Sequence, residues 1–382
     1  MKKINVVIFG ATGSIGDSFF SIVKNNREKF NIEGISCNKN LRKLLKISNE
    51  FNVKKIGYNE KKIKKIKEYN LKNYVTYKDI EIFDKMISSK TDVIVFAISG
   101  LKPINLFIKI LNANKIVGIA NKECIISLGS SLNKIIAKKT KLVPLDSEHN
   151  SIYHLLNNIS FDYQSITITA SGGPFLNLKY SQLKNIKPKQ AIKHPIWKMG
   201  KKISIDSSTM MNKALEIIEA KYLFNLNSSQ INAIIHPQSI VHAIINHRNG
   251  ASTALLYQPD MKVPISSLFF SFDNYSKKQK ILSLTDVSKL EFLEIDNKKF
   301  PAINLAYQVL EIGGLAPNIF NYLNEILVQK FLNGKISFID IINYNYENLE
   351  RALKNNKNIP IPSYNDIRSI NSWIDKNLYL GK

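Results

Sequence analysis

The stretch Val143-Pro144-Leu145-Asp146-Ser147-Glu148-His149-Asn150 sets two carboxylates two residues apart, directly after the apolar pair Leu142-Val143. If Leu142 to Leu145 ends a strand, Asp146 and Glu148 emerge at its C-terminal edge, and alternation along an extended backbone sends both to the same side. Hard divalent cations take such oxygen pairs, and His149 and Asn150 add further polar groups. The same residues also suit a polar turn that caps a following helix, with Asp146 or Ser147 as N-cap. A further carboxylate source lies downstream. The helical stretch Met210 to Phe224 has Leu215, Ile218 and Tyr222 on one face and Asn212, Glu216 and Glu219 on another. Glu216 could complete a three-carboxylate site with Asp146 and Glu148. Spacing does not choose between Glu216 and Glu219, and a solvated acidic face fits the pattern as well.

The elements before this stretch read as a parallel sheet. Ile4 to Phe9 is a short apolar run that feeds Gly10-Ala11-Thr12-Gly13-Ser14-Ile15-Gly16 and then a helical pattern through Ile22 and Val23. A G-x-x-G-x-x-G loop between a strand and a helix is a variant of the dinucleotide fingerprint, in which glycines permit a tight turn and close approach of a pyrophosphate to the helix N-terminus. The second strand, Ile32 to Ser36, ends in Cys37-Asn38-Lys39-Asn40. An NAD-preferring fold places a carboxylate there for the ribose hydroxyls. Here none repels a 2′-phosphate and Lys39 attracts one, which favours NADP(H). Asp92 to Ala97 and Lys115 to Ala120 are further strands, separated by helical stretches and ending in Ser99-Gly100 and Asn121-Lys122-Glu123. Ligands of such sheets lie beyond the strand C-termini, so the carboxylate pair falls beside the nicotinamide end of the cofactor.

After His149 the pattern changes. Gln164 to Ala170 alternates as a half-buried strand and runs into Ser171-Gly172-Gly173-Pro174-Phe175. His194-Pro195-Ile196-Trp197-Lys198-Met199-Gly200 sets Trp and Met among Lys, Pro and Gly without helical period, as a mobile flap would. Ser204 to Thr209 leads into the Met210 to Phe224 helix. Ile231 to Ile235, Val241 to Ile245 and Ala251 to Tyr257 read as strands of a mostly antiparallel sheet around His236-Pro237-Gln238-Ser239. Ala302 to Leu310, Phe320 to Phe331, Phe338 to Tyr344 and the final segment to Leu380 read as helices. The expected fold is α/β: a Rossmann-like parallel-sheet domain (1–146), an α+β catalytic and dimerisation domain with a flap at 194–202 (147–276), a charged linker (277–299) and a C-terminal helical bundle (300–382).

Composition narrows the classes. The chain has 382 residues and 44% hydrophobic content, enough for a substantial core. Its net charge of +24 first suggests nucleic acid, yet only five of its 54 basic residues are Arg, and Lys, Asn and Ile share A/T-rich codons. Codon bias accounts for the basicity better than a polyanion does, although an anionic substrate still gains from the field. Runs such as Lys61-Lys62-Ile63-Lys64-Lys65 read as a solvated helix face. Cys37 and Cys124 are the only cysteines, so neither a disulfide framework nor a thiolate metal site is expected. The sequence starts on a strand and carries no apolar run of membrane-spanning length, from which a cytoplasmic protein is expected.

Seven motifs occur in order: the Gly10–Gly16 loop, Ala120-Asn121-Lys122-Glu123, Pro144–Asn150, Ser171–Phe175, His194–Gly200, Met210-Met211-Asn212-Lys213-Ala214-Leu215-Glu216 and His236–Ser239. In this the chain closely resembles the 1-deoxy-D-xylulose 5-phosphate reductoisomerases of the non-mevalonate isoprenoid pathway, over nearly its whole length and least from about 40 to 90 and beyond 340. The resemblance implies rearrangement of 1-deoxy-D-xylulose 5-phosphate to an aldehyde, 2-C-methylerythritose 4-phosphate, then NADPH reduction to 2-C-methyl-D-erythritol 4-phosphate, with Mg²⁺, Mn²⁺ or Co²⁺. It implies Asp146, Glu148 and Glu216 as metal ligands, which settles Glu216 over Glu219, with Lys122 and His194 also in the catalytic set. Lys122, Ser147, Glu148, Ser171, His194, Trp197, Met199, Ser207, Asn212, Lys213 and Glu216 would contact substrate. Thr12, Gly13, Ser14, Ile15, Asn38, Lys39, Asn40, Asn121, Glu123 and Gly200 would line the NADPH site. Family members are homodimers. Two positions depart from the pattern: Asn38 stands where Gly is usual, and Cys124 where Ser is usual. The rival readings are another metal-assisted, NADP-dependent reductase of a phosphorylated aldehyde and a basic nucleic-acid-binding protein, the latter discouraged by the scarcity of Arg and of clustered aromatic–basic patches.

Overall fold

In the computed structural model, residues 3–158, 162–193, 196–197, 200–269 and 281–378 are described. They form two compact units. The first contains residues 1–124, 135–150 and a segment that begins at Asp260; the second contains 125–134, 151–259 and the chain from 280 onward. The helices after residue 300 thus share a unit with the second sheet.

The first unit is built on seven parallel strands: β1 (Ile4–Phe9), β2 (Phe30–Cys37), β3 (Lys55–Tyr58), β4 (Val75–Tyr77), β5 (Val93–Phe96), β6 (Ile116–Ile119) and β7 (Lys141–Pro144). Their order is β4-β3-β2-β1-β5-β6-β7. Val6 to Phe9 and Ile94 to Phe96 are fully buried, as expected for parallel strands covered on both faces. The order reverses between β1 and β5, which pair from Val6↔Val93 to Phe9↔Phe96. Such a switch point opens a crevice beyond the strand C-termini. Gly10 sits at its floor with φ +91°, and a Cβ there would lie 2.3 Å from the Ala97 carbonyl oxygen. Strands β3 and β4 are additions to the expected set, and the Lys61–Lys65 run, whose four lysines are exposed, starts in a short 3-10 turn over Glu60–Lys62 and is followed by another at Ile66–Glu68, rather than forming a helix face.

The second unit holds β8 (Tyr163–Ala170), β9 (Ile231–Ile235), β10 (Val241–His247) and β11 (Ser252–Leu256), in the order β11-β10-β8-β9. The β10 pairings are antiparallel, but β8 and β9 are parallel, in register from Ile166↔Ile231 to Ala170↔Ile235. A parallel pair needs a crossover, and the helix Met211–Phe224 lies within it. That helix packs on β9 and on the helix Ala302–Ile312, so it is buried almost all round. The amphipathic reading with a solvated acidic face is therefore corrected: Glu216 is 1% exposed and Glu219 2%.

The C-terminal helices are Ala302–Ile312, Ala316–Leu332, Asp340–Asn355 and Tyr364–Asn377. One side of Ala316–Leu332 carries Asn318, Asn321 and Asn324, all buried. Their amides donate to Asn371 Oδ1 (2.8 Å), Ser127 Oγ (3.1 Å) and Asp206 Oδ1 (2.9 Å). Buried amides are held by such partners, and three separate segments are pinned to one helix this way. The expected linker is also tied down. Leu293 exchanges both backbone hydrogen bonds with Ile235 (2.8 and 2.9 Å), and His236 Nδ1 bonds the Glu291 carbonyl at 2.8 Å while its ring stacks on Phe292.

Candidate active site

Strand β7 ends at Pro144 and the helix Ser147–Asn158 begins at once. Asp146 is therefore a helix cap. Its carbonyl accepts from Asn150 N at 2.8 Å, and its Oδ1 faces Glu148 N at 3.3 Å. The turn that caps a following helix is what forms here, and it leaves both carboxylates at the helix start rather than alternating along an extended strand. Asp146 and Glu148 have carboxylate oxygens within 4.8 Å of each other because both belong to one helix start. Both are partly exposed. Lys122, from the helix Lys122–Leu128 after β6, sets its ammonium 3.0 Å from Asp146 Oδ2. His149, fully buried, sets Nδ1 3.5 Å from Asp146 Oδ1. The Ser147 hydroxyl donates to the Glu148 carboxylate. Asn150 is used structurally, donating to Pro144 O (2.9 Å) and Ser267 Oγ (3.1 Å).

At the crevice, Gly13 is the N-cap of the helix Ser14–Lys24 and, with Ser14, is exposed. Ala11 N donates to Ser36 O (2.8 Å), fixing the loop to β2. The three loop glycines are not equivalent. A Cβ on Gly16 would lie 2.1 Å from Ala11 O, whereas on Gly13 its nearest neighbour would be Gly10 O at 3.5 Å. Gly10 and Gly16 are thus required by the protein's own backbone, and Gly13 leaves room for a ligand at the helix N-terminus. At the end of β2, Asn38 and Lys39 are exposed, and Asn40 caps the helix Leu41–Phe51 by accepting from Lys43 N at 3.1 Å. Lys43 itself was not singled out from the sequence. Its ammonium bonds Thr12 O (3.1 Å) and pairs with Asp17 (2.6 Å). The side chain of Asn121 is consumed by the fold: it donates to Ile98 O and to Gly100 O (2.8 Å) and accepts from Cys124 N (2.7 Å). Glu123 is buried.

In the second unit, Met210 adopts φ +59° and separates the helix Lys201–Ser208 from Met211–Phe224. Ser207 stands near the end of one, and Asn212 and Lys213 in the first turn of the other. The Lys213 ammonium and the Asn212 amide both bond the Glu216 carboxylate. The loop after β8 closes on the same place. Gly172 and Gly173 have φ +80° and +68°, a Cβ on Gly173 would lie 2.8 Å from Ser207 O, and Gly173 N donates to Ser171 Oγ at 3.2 Å. Ser171 and Ser207 are so brought into one neighbourhood. Asp206 is 1% exposed and pairs with Lys202 at 2.8 Å. Trp197 is half-buried, its ring centroid 6.5 Å from that of His242, and Gly200 is the exposed N-cap of Lys201–Ser208. His194, Pro195, Lys198 and Met199 lie outside the described residues.

A parallel sheet with a glycine loop at its switch point and a carboxylate pair at the edge of its last strand defines a nucleotide-binding α/β enzyme. Comparisons with known proteins make this specific. A family model described as 1-deoxy-D-xylulose 5-phosphate reductoisomerase matches residues 6–129, and two models of the C-terminal domains of that enzyme match 142–224 and 256–377. The 1-deoxy-D-xylulose 5-phosphate reductoisomerase of Pelagibacter ubique is 43% identical over 352 residues, covering 90% of this chain and 89% of the relative. That of a Thermoanaerobacter species is 35% identical over 382 residues, covering 99% and 98%. A crystal structure of DOX-P reductoisomerase in complex with NADPH, fosmidomycin and magnesium superposes with a TM-score of 0.88 at 31% identity, over 98% and 97% of the two chains. The Zymomonas mobilis enzyme with NADPH gives 0.85 at 30% identity, over 97% of each. The chain belongs to the 1-deoxy-D-xylulose 5-phosphate reductoisomerase family.

Proposed function

We propose that this chain converts 1-deoxy-D-xylulose 5-phosphate to 2-C-methyl-D-erythritol 4-phosphate by rearrangement and NADPH-dependent reduction, with a divalent metal, in the non-mevalonate route to isoprenoid precursors. The observation that carries the reading is family membership along almost the whole chain, joined to the Asp146–Glu148 carboxylate pair beyond the sheet.

Asp146, Glu148 and Glu216 are the proposed ligands of Mg²⁺, Mn²⁺ or Co²⁺. Carboxylate oxygens without thiolate suit such hard cations. When bound, the ion supplies Lewis acidity to the ketone and its neighbouring hydroxyl, and NADPH supplies the hydride. Lys122, held beside Asp146, and Ser147, held beside Glu148, orient the substrate hydroxyls together with Asn212. Ser171, Ser207, Asn212, Lys213 and His194 grip the phosphate. Support comes from the closure of the Ser171 loop on Ser207 and from the N-terminal turn of the Met211–Phe224 helix, where the helix dipole is positive. Gripping the phosphate holds the reacting carbons still with binding energy from a remote group. Trp197 and Met199 close the 194–202 flap and exclude water.

Thr12, Gly13, Ser14, Ile15, Asn38, Lys39 and Asn40 hold NADPH, with Asn121, Glu123 and Gly200 nearby. The open space at Gly13 and the carboxylate-free end of β2 fit a phosphorylated ribose. The assembly is a homodimer in this reading, supported by the exposed apolar residues Ile281, Leu284, Leu290, Phe292 and Leu293 in one segment. Light scattering of the active enzyme should give roughly twice 43.5 kDa, and a monomer mass would remove the dimer. Residence in the cytoplasm fits the two free cysteines. NADPH oxidation should require the sugar phosphate and stop on addition of EDTA. Full activity in EDTA would overturn the metal dependence.

A further inference from the structure

We propose that Lys299 is a positioning residue for the substrate phosphate, acting by locking the loop that presents Ser171. The proposal rests on the phosphate reading above and extends it to a residue far along the chain.

The loop between Ser171 and Leu178 has little regular structure of its own. Two successive glycines with positive φ would leave it many conformations in isolation. Lys299 removes that freedom. Its ammonium donates to the Leu176 carbonyl at 2.7 Å and to the Leu178 carbonyl. An Asx-type turn delivers it there: Asp296 Oδ1 accepts from Lys298 N (2.9 Å) and Lys299 N (3.2 Å). The loop is clamped on its other side by Phe175, whose buried ring meets Phe338 edge-on at 5.4 Å.

From the clamp to Ser171 the path is short and packed. The Leu176 side chain lies against Gly172, so close that a Cβ there would fall 2.9 Å from its methyls. Gly173 presses on the Ser207 carbonyl and donates its N–H to Ser171 Oγ. Fixing the Leu176 carbonyl therefore fixes Gly172, Gly173 and the hydroxyl of Ser171 beside Ser207. Charge-assisted bonds to carbonyls in a half-buried setting are the stronger kind, and an ammonium group serves two carbonyls at once where a neutral side chain of that reach does not. Burial holds the Lys299 ammonium somewhat below the ordinary lysine range, with Asp296 opposing.

The test uses Lys299→Met, Lys299→Arg and Ser171→Ala in the full-length enzyme, with 1-deoxy-D-xylulose 5-phosphate and NADPH. Lys299→Met should raise KM for the sugar phosphate about tenfold with kcat lowered by no more than about threefold, and leave KM for NADPH unchanged. Inorganic phosphate should become a correspondingly weaker competitive inhibitor. Lys299→Arg, which can still donate to both carbonyls, should recover most of the loss. If Ser171→Ala raises KM and Lys299→Met does not, positioning by Lys299 is wrong while the phosphate site stands. If Ser171→Ala leaves KM unchanged, the phosphate reading fails and this proposal falls with it. Should Lys299→Met fold poorly, the Arg variant decides: native folding by circular dichroism with no recovery of KM would overturn the proposal.

Discussion

Alanine substitutions in the first glycine loop separate what the fold needs from what the cofactor needs. At Gly16 a Cβ would stand 2.1 Å from the Ala11 carbonyl oxygen, a backbone atom that cannot swing aside. Overpacking of this kind costs about 1–3 kcal/mol, and each kcal/mol lowers the unfolding midpoint of a domain this size by about 2–4 °C. At Gly13 the nearest atom is 3.5 Å away and φ is −87°, a conformation open to alanine. Gly13→Ala loses the mild preference of an N-cap for glycine, about 0.5–1 kcal/mol. Its methyl group, however, enters the exposed space at the helix N-terminus. Loss of one or two charge-assisted contacts to a pyrophosphate is worth about 1.5–3 kcal/mol, or about 10–100-fold in NADPH affinity. Thermal unfolding without ligand and an NADPH fluorescence titration read the two effects apart. Gly16→Ala should melt clearly lower; Gly13→Ala should melt near the parent and bind NADPH weakly. A Gly13→Ala variant with parental NADPH affinity, or one as unstable as Gly16→Ala, would refute this division of labour.

Asp146→Asn and Glu216→Gln should each lower turnover at least about 100-fold while leaving NADPH affinity nearly unchanged; near-parental turnover in either would remove that residue from the metal site, and Glu219→Gln should be much milder. Lys39→Ala should shrink the preference for NADPH over NADH in kcat/KM, chiefly by weakening NADPH, and an unchanged ratio would take Lys39 out of the pocket. Trp197→Phe should abolish the change in tryptophan fluorescence on binding a phosphonate hydroxamate, while Trp373→Phe preserves it; a signal that follows Trp373 would rule out the flap. Burial pushes the Cys37 thiol up to about 12, so this group's contribution to stability is intact below the ordinary thiol range and is lost as the pH rises from there toward that value. Native enzyme should accordingly resist iodoacetamide at about pH 8 and react after unfolding in urea, and rapid labelling of the native thiols would contradict their burial.

The parts of this protein legible in its sequence are those where chemistry and local pattern coincide. β1, its glycine loop and the next helix form one contiguous signal, and the order of β5, β6 and β7 follows from apolar runs that end in polar groups. Asp146 and Glu148 were legible as a pair, but their sequence allowed both an extended backbone and a turn capping a helix, and the structure takes the second, with a helix from Ser147. β3 and β4 have four and three residues in a Lys-rich stretch, too short to carry a period. The helix Met211–Phe224 misled in another way. It is enclosed on nearly every side, so its acidic residues are buried and periodicity had no solvent face to report. Parallel pairing of β8 with β9 was hidden for a related reason, since strand direction leaves no mark on composition. Lys43 and Lys299 are indistinguishable from the other basic residues until the fold places one on Thr12 and the other on Leu176 and Leu178. The asparagine row of Ala316–Leu332 is likewise lost in a chain where Asn is abundant.

The most direct measurement is the structure of the product. Purified enzyme stripped with EDTA, resupplied with Mg²⁺ or Mn²⁺, and given NADPH with ¹³C-labelled 1-deoxy-D-xylulose 5-phosphate should yield a branched carbon skeleton by NMR, 2-C-methyl-D-erythritol 4-phosphate, with NADPH consumed one for one. An unbranched polyol phosphate, or branched product formed at the full rate without metal, would contradict it.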